Sequence, residues 1–323
     1  YILKTTNKNS YYYEYSMVQI LNIKYEILLN NRIKKIPDLE KLEKEYAVAI
    51  ENIGIKSETI YLLKNYCEIL AFYLDKEQKA IELLQATIDN PMLSPYNQAI
   101  CKMELAKIFI LENKMWEAIL LYAQVEKEFN EEVIGQNAKF EKTKINFYNG
   151  DFEWAQNQLK VLKLSTSKLI ANNAMKLSLL ISDNLNLDTT DTALLLYAQT
   201  ELLFTQKQFE KCLKKVEELE SRFPNHTLLD EAIFKKAEIF IEMDDFNNAL
   251  DCLNTICKDY QYDILYDDAL FYQAQIYEDV IGDNIKAKQA YENILLNTPN
   301  SIFINQARKR YHILRDNNFI ELQ

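Results

Sequence analysis

The side chains in this 323-residue chain whose types suit chemistry are few: five cysteines, two histidines and one dense run of carboxylates. Cys67, Cys101, Cys212, Cys252 and Cys257 are odd in number, so they cannot all pair within the chain, and no CxxC occurs. Cys252 and Cys257 are five apart on one expected helix and point away from each other. Plain packing is the preferred reading for all five, and free thiols lean toward a reducing compartment. His226 lies in the turn Pro224-Asn225-His226-Thr227, where Thr227-Leu228-Leu229-Asp230 resembles a capping box, and His312 lies on the last helix. Neither has a second ligand at metal-binding spacing. The carboxylates Asp259, Asp263, Asp267, Asp268, Glu278, Asp279 and Asp283 lack the alternation around a glycine that a calcium loop requires. A solvated helix start, where the dipole favours negative charge, explains them better. GxSxG, P-loop and GxGxxG patterns are absent, and four scattered glycines build no phosphate cradle. The reading is a non-enzyme with no catalytic residue, metal or cofactor.

A fifth group recurs at repeat spacing. Phe140, Tyr197, Phe234 and Phe271 occupy one position of successive expected helices, with Met103 upstream. These five are the candidate partner groove: a ladder of rings ready to take a segment of another protein. The competing reading wedges them between adjacent helix pairs as core. Alanines at 138, 232 and 269 leave room for that, and it is the preferred one.

What must position them is a repeat. Ala237 recurs at Ala274, Ala249 at Ala287 and Leu253 at Tyr291, with periods of 37 and 38 residues. Extended along the chain, the same small position holds Ala80, Ala118, Ala155, Cys212, Ala249 and Ala287. Four residues on stand Leu84, Tyr122, Leu159, Val216, Leu253 and Tyr291; seven on stand Thr87, Val125, Leu162, Leu219, Ile256 and Ile294. That is an i, i+4, i+7 stripe on the second helix of six pairs. The register breaks once, by 57 residues between Ala155 and Cys212, which leaves room for one inserted helix over about 166–182 behind Ser165. Pro37, Pro91, Pro95, Pro224 and Pro299 all fall where the helical pattern breaks. The expected organisation is an N-terminal helical hairpin (1–56), three hairpins (57–163), the inserted helix and loop (164–188), three further hairpins (189–300), and a capping helix and tail (301–323). Tyr11, Tyr12, Tyr13, Tyr15 and Tyr25 mark the first helix as a surface or partner contact.

Net charge is −11, which argues against nucleic acid as partner, and no apolar run approaches a membrane span. The opening Tyr1-Ile2-Leu3-Lys4 reads as a mid-chain beginning, so a longer protein is expected.

The pattern resembles the tetratricopeptide repeat. The residues that carry the likeness are a small residue at the eighth position (Ala106, Ala237, Ala274), an aromatic three later, alanine at the twentieth, a bulky residue at the twenty-fourth, and Pro224 and Pro299 near the thirty-second. It covers roughly residues 57–300, is strongest in the last two repeats, and departs at Glu68, Thr143 and Thr200 and in its longer period. Asp267-Asp268-Ala269-Leu270-Phe271 before Ala274 is similar to repeats of bacterial cell-envelope assembly proteins. Residues 149–175 are similar to a long bacterial repeat family with no established activity. The resemblance implies an all-α right-handed solenoid and a scaffold or adaptor that holds a protein or peptide, in the envelope or cytoplasm of a bacterium. Two alternatives stand beside it: a docking arm of a larger enzyme or membrane-anchored protein, and a self-associating rod that forms homo-oligomers.

Overall fold

The computed structural model describes residues 10–30, 34–185 and 191–320. The expected frayed start over 1–9, most of the 185–191 loop with Thr190, and the last three residues of the tail lie outside them. The chain divides into two compact units, Tyr1–Asp183 and Asn184–Gln323. Both are built from α-helices in antiparallel pairs, and no strand occurs among the described residues.

The first unit runs α1 (Tyr11–Asn30), α2 (Ile36–Ile53), α3 (Ile60–Tyr73), α4 (Glu77–Ile88), α5 (Pro95–Leu111), α6 (Met115–Glu128), α7 (Val133–Tyr148), α8 (Phe152–Leu162) and α9 (Lys168–Leu185), whose last turn crosses into the second unit. The second continues with α10 (Thr192–Thr205), α11 (Phe209–Arg222), α12 (Leu229–Glu242), α13 (Phe246–Asp259), α14 (Tyr266–Ile276), α15 (Asn284–Asn297) and α16 (Ile304–Ile320). From α1 to α8, and again from α10 to α16, each helix packs on the next in sequence, and in the first unit the first helices α3, α5 and α7 also touch in turn. The inserted helix is α9. It buries Ile170, Ala174, Ser178 and Ile181, and is pinned to α8 by the Ser178 hydroxyl donating to Gln156 (2.6 Å) and Gln156 Nε2 donating to the Ser178 carbonyl (3.0 Å).

The small position is where each pair closes. Ala80, Ala118, Ala155, Cys212, Ala249 and Ala287 are wholly buried, and the stripe four and seven residues on is at most 2% exposed throughout. Burial of each large member stabilises by ~1.5–3 kcal/mol. Where the eighth position departs from alanine, the exception is accommodated locally. Thr143 and Thr200 turn their hydroxyls onto the carbonyls of Lys139 (2.7 Å) and Leu196 (2.9 Å), which satisfies a buried polar group inside the helix itself. Half-buried Glu68 pairs with Lys64 at 3.1 Å.

Five residues before each small position the backbone turns left-handed, at Asp75, Asn113, Gly150, Lys207, Asp244 and Gly282 (φ from 51° to 85°). In four of the six turns the next N–H returns to a carbonyl five residues back. Lys114 bonds Phe109, Asp151 bonds Asn146, Gln208 bonds Leu203 and Asp245 bonds Phe240, all at 2.7–2.9 Å. The left-handed residue itself bonds three back, as Asn113 does to Ile110 (3.0 Å). This is the Schellman closure, which satisfies the orphan carbonyls of the first helix. The Asp75 and Gly282 turns are one residue wider: Lys76 reaches Leu70 and Asp283 reaches Tyr277. At the second of these, a π-helical turn over Tyr277–Ile281 follows α14 directly and absorbs the extra residue.

Several caps differ from expectation. Thr227 is no N-cap: α12 starts at Leu229, Thr227 donates to Asn184 (2.6 Å), and the His226 ring nitrogen accepts from the Leu228 N–H (3.0 Å). The apolar Leu228 leads the helix because burying its side chain outweighs a threonine cap. Ser165 accepts from the Ser167 N–H (3.2 Å) and donates to Gln136, so its hydroxyl orders the turn before α9 rather than capping its first residue. Gly135 permits the short α6–α7 connection: a Cβ there would lie 1.9 Å from the Phe129 carbonyl oxygen.

Lys207 is the one long side chain among the six left-handed positions, and an L-residue pays ~1–2 kcal/mol for that conformation. Lys207→Gly therefore raises the stability of the second unit by about 0.5–1 kcal/mol, the unfolded-state entropy of glycine offsetting part of the gain. A denaturant midpoint that stays put or falls refutes the strain at this turn.

Candidate partner-binding site

The five candidate groove residues sit on first helices: Met103 on α5, Phe140 on α7, Tyr197 on α10, Phe234 on α12 and Phe271 on α14. Each is 7–9% exposed. Phe271 stacks on Phe303 (4.3 Å between ring centres) and meets Tyr291 edge-on (6.2 Å). Phe234 meets Tyr272 edge-on (5.4 Å) within a cluster that includes Ala237, Ala249 and Leu253. Tyr197 is held neutral by burial and by the nearby Glu201, which push its hydroxyl pKa far up. The rings thus supply little open surface.

Charged groups lie next to them. In the first unit Lys64 pairs with Glu68 (3.1 Å), Lys107 with Glu104 (3.0 Å) and Lys144 with Glu141 (2.8 Å), one pair on each of α3, α5 and α7. These belong to one electrostatic strip, because the Lys107 ammonium is opposed by burial yet stabilised by Glu104, Glu68 and Glu141 together, so its pKa is raised. Glu104 is wholly buried, and its Oε1 has no hydrogen-bond partner. Burial raises its pKa and Lys107 opposes the rise.

The second unit shows a tighter knot. Lys235 of α12 is buried between Glu201 of α10 (3.0 Å) and Glu238 (2.5 Å), with its ammonium over the Phe204 ring at 4.4 Å. Burial works against its charge, but the two carboxylates outweigh burial and raise its pKa. Glu238 is raised by burial, with Glu201 and the exposed Glu242 adding to it. Further along, Glu278 accepts from Tyr291 (2.9 Å) and from Arg310 of α16, so the end of α14, α15 and α16 meet at one carboxylate. Apart from Glu278, one of the run of carboxylates, and Glu68, a departure from the repeat, these residues did not stand out in the sequence reading. Their only mark there is the i, i+3 spacing of Glu104/Lys107, Glu141/Lys144 and Lys235/Glu238, which surface helices share.

The run of carboxylates has mixed duties. Asp283 caps α15 by accepting from the Lys286 N–H (3.0 Å), and that bond lowers its pKa. Asp267 and Asp268 stand in the first turn of α14, while Asp259 and Asp263 are exposed. Among the described residues no three His, Cys, Asp or Glu converge as metal ligands. The thiols are buried or half-buried, and burial pushes Cys101, Cys212 and Cys257 up to about 12 and Cys252 to about 11, far from thiolate chemistry at neutral pH. On α1, Tyr25 is buried and Tyr12 and Tyr15 are exposed.

Residues 231–261 and 268–301 match the tetratricopeptide repeat family model, so these two stretches, α12–α13 and α14–α15, are such repeats. The chain is also similar to a tetratricopeptide repeat protein from Parabacteroides merdae known from its crystal structure. The identity is 12%, the match covers 92% of this chain and 99% of that one, and the TM-score is 0.35. No curated protein matches the chain.

Glu231, in the first turn of α12, carries a testable signature. Its Oε2 lacks a partner, and burial first, then the neighbouring Asp230, raises its pKa. A raised carboxyl binds its proton more tightly folded than unfolded. Its stabilisation is therefore complete below the ordinary carboxylate pKa and is lost as pH climbs toward the folded value. Glu231→Gln should match the wild type near pH 4 and exceed it at pH 8, the gap opening by up to ~1.4 kcal/mol per pH unit. Denaturation curves of both proteins across that range that stay parallel refute the assignment.

Proposed function

We propose that the chain is a non-catalytic scaffold whose first-helix faces hold a segment of another protein. One observation carries this reading: the first helices place closely networked charges beside their packing rings, with Lys235 buried between half-buried Glu201 and Glu238, and Glu104 buried beside half-buried Lys107. A face evolved only to pack is cheaper to build from apolar side chains, since ion pairs lose hydration when buried. A fixed array of donors and acceptors on rigid helices suits a polar or extended peptide. On this reading Met103, Phe140, Tyr197, Phe234 and Phe271 form the floor that fixes the array, and the charged residues beside them make the contact.

The match to tetratricopeptide repeats supports protein–protein scaffolding in general. The finer placement, in a bacterial cell-envelope assembly, rests on the Asp267–Phe271 stretch before Ala274 and forms part of the proposal. No helix among the described residues is long and apolar enough to cross a membrane.

Glu242→Arg alters the first-helix face beside Glu238, whereas Asp251→Arg alters the exposed side of α13. Affinity capture with each variant, read by mass spectrometry, should show partners lost with Glu242→Arg and kept with Asp251→Arg. Equal capture by the two variants rules the first-helix face out as the contact.

A further inference from the structure

The charge of this chain is segregated. Residues 1–183 carry 23 Lys and Arg against 24 Asp and Glu, while residues 184–323 carry 14 against 24, so nearly all of the net −11 lies in the second unit. Within the first unit, residues 154–182 hold Lys160, Lys163, Lys168 and Lys176 and no acid at all. Within the second, residues 242–283 hold eleven acids and one base, Lys258.

Each of these segments also exposes apolar side chains on an ordered turn. At the α8–α9 elbow, Val161, Leu164 and Leu169 are 57%, 86% and 70% exposed, and the elbow is fixed by Ser165 bonding Gln136 of α7. Around them stand Lys160, Lys163 and Lys168, and among the described residues none of the three makes an ion pair. At the α13–α14 turn, Tyr262 and Ile264 are 92% and 79% exposed. Backbone bonds from Asp263 to Tyr260 (3.1 Å) and from Tyr266 to Asp263 (3.2 Å) hold this turn. Asp259, Asp263 and Asp230 crowd Tyr260 closely enough to raise its hydroxyl pKa after burial has done so. These aspartates too make no ion pair among the described residues. The contrast inside the chain is informative. At the positions of Val161 and Leu164, counted from the small residue, α11 carries Glu218 and Ser221 and α13 carries Thr255 and Lys258. Outward leucines at the elbow are therefore not a requirement of the repeat.

We propose that the α8–α9 elbow of one copy docks on the α13–α14 turn of a second copy, Tyr262 and Ile264 entering among Val161, Leu164 and Leu169 while Lys160, Lys163 and Lys168 face Asp230, Asp259 and Asp263. An apolar centre with a charged rim of opposite sign on each side is the anatomy of a specific protein interface. Both turns are already ordered, so little conformational freedom is lost on docking. The contact uses two different surfaces, so it is heterologous, and each docked pair leaves one surface of each kind free for the next copy.

The test uses the full chain in sedimentation velocity over a concentration series at low and high salt. The expected result is mass that grows with concentration and falls back toward one chain at high salt. Lys163→Glu with Lys168→Glu, and separately Asp259→Lys with Asp263→Lys, should each weaken association at least about tenfold with the helical circular dichroism unchanged. Tyr262→Ser with Ile264→Ser should do the same without altering charge. An equimolar mixture of the two charge-reversed proteins should recover a one-to-one pair, since each keeps one intact surface. A single-chain mass at every concentration overturns the proposal, as does a mixture that stays apart. So does wild-type protein that remains single but pellets with phosphatidylglycerol vesicles, an outcome that assigns the elbow to an anionic lipid surface.

Discussion

Two helices of a pair can lie close only if the side chain at their crossing is small, and six times this chain places alanine or cysteine there with no exposed surface. The remaining features of each pair depend on that contact. Close approach turns the residues four and seven further on into the same crevice, where they are buried to the last few per cent. It also fixes the distance over which the chain must reverse. The reversal is made by a left-handed residue five positions earlier, whose following N–H closes the first helix. A larger residue at the crossing forces the helices apart and costs packing on both sides of the turn.

That geometry separates two kinds of surface. The floor of the first-helix face is set by rings such as Phe271, stacked against Phe303 and Tyr291. What stands beside the rings is charged, and the charges are answered locally, Lys235 by Glu201 and Glu238, Glu278 by Arg310 and Tyr291. The answered charges lie near the floor, and the unanswered ones, such as Lys168 and Asp263, lie on exposed turns. Coulomb energy in water is small for the second group and large for the first, so only the first is tied to folding. The second group is free to act on whatever approaches.

The repeat was legible in the sequence because its chief device is a residue type at a fixed interval, and periodic side chains survive as periodic letters. The six small positions fall on α4, α6, α8, α11, α13 and α15, the second helix of each pair, as the spacing places them. The inserted helix was legible as a surplus of about twenty residues, and its start was misplaced by two because Ser165 spends its hydroxyl on the turn and on Gln136. Backbone-level features left no such mark. Lys207 occupies a conformation that favours glycine, and the π-helical turn at Tyr277–Ile281 answers a one-residue excess that no side chain announces. Thr227 looked like a cap, but burial of Leu228 decided where α12 starts. Of the candidate site, ring spacing marks positions on the first helices, while Glu104 and Lys235 look like any solvated residue until neighbouring helices bury them, with Glu201 and Glu238 half-buried beside Lys235.

The register break bears on cooperativity as well as topology. Repeats that touch only their neighbours share stability through nearest-neighbour interfaces, so a cooperative unit extends as far as the stacking repeats without interruption. Here the interval between small positions jumps from 37 to 57 residues after Ala155, and the boundary between compact units falls in the helix that fills the surplus, α9. α9 has a full buried face yet carries Leu169 and Leu179 exposed on its outer side. Because stacking constrains only the inward residues, outward composition drifts independently from pair to pair. One unit can therefore gather almost all of the negative charge, and the other a lysine-rich apolar elbow, without disturbing the alanines that hold both together.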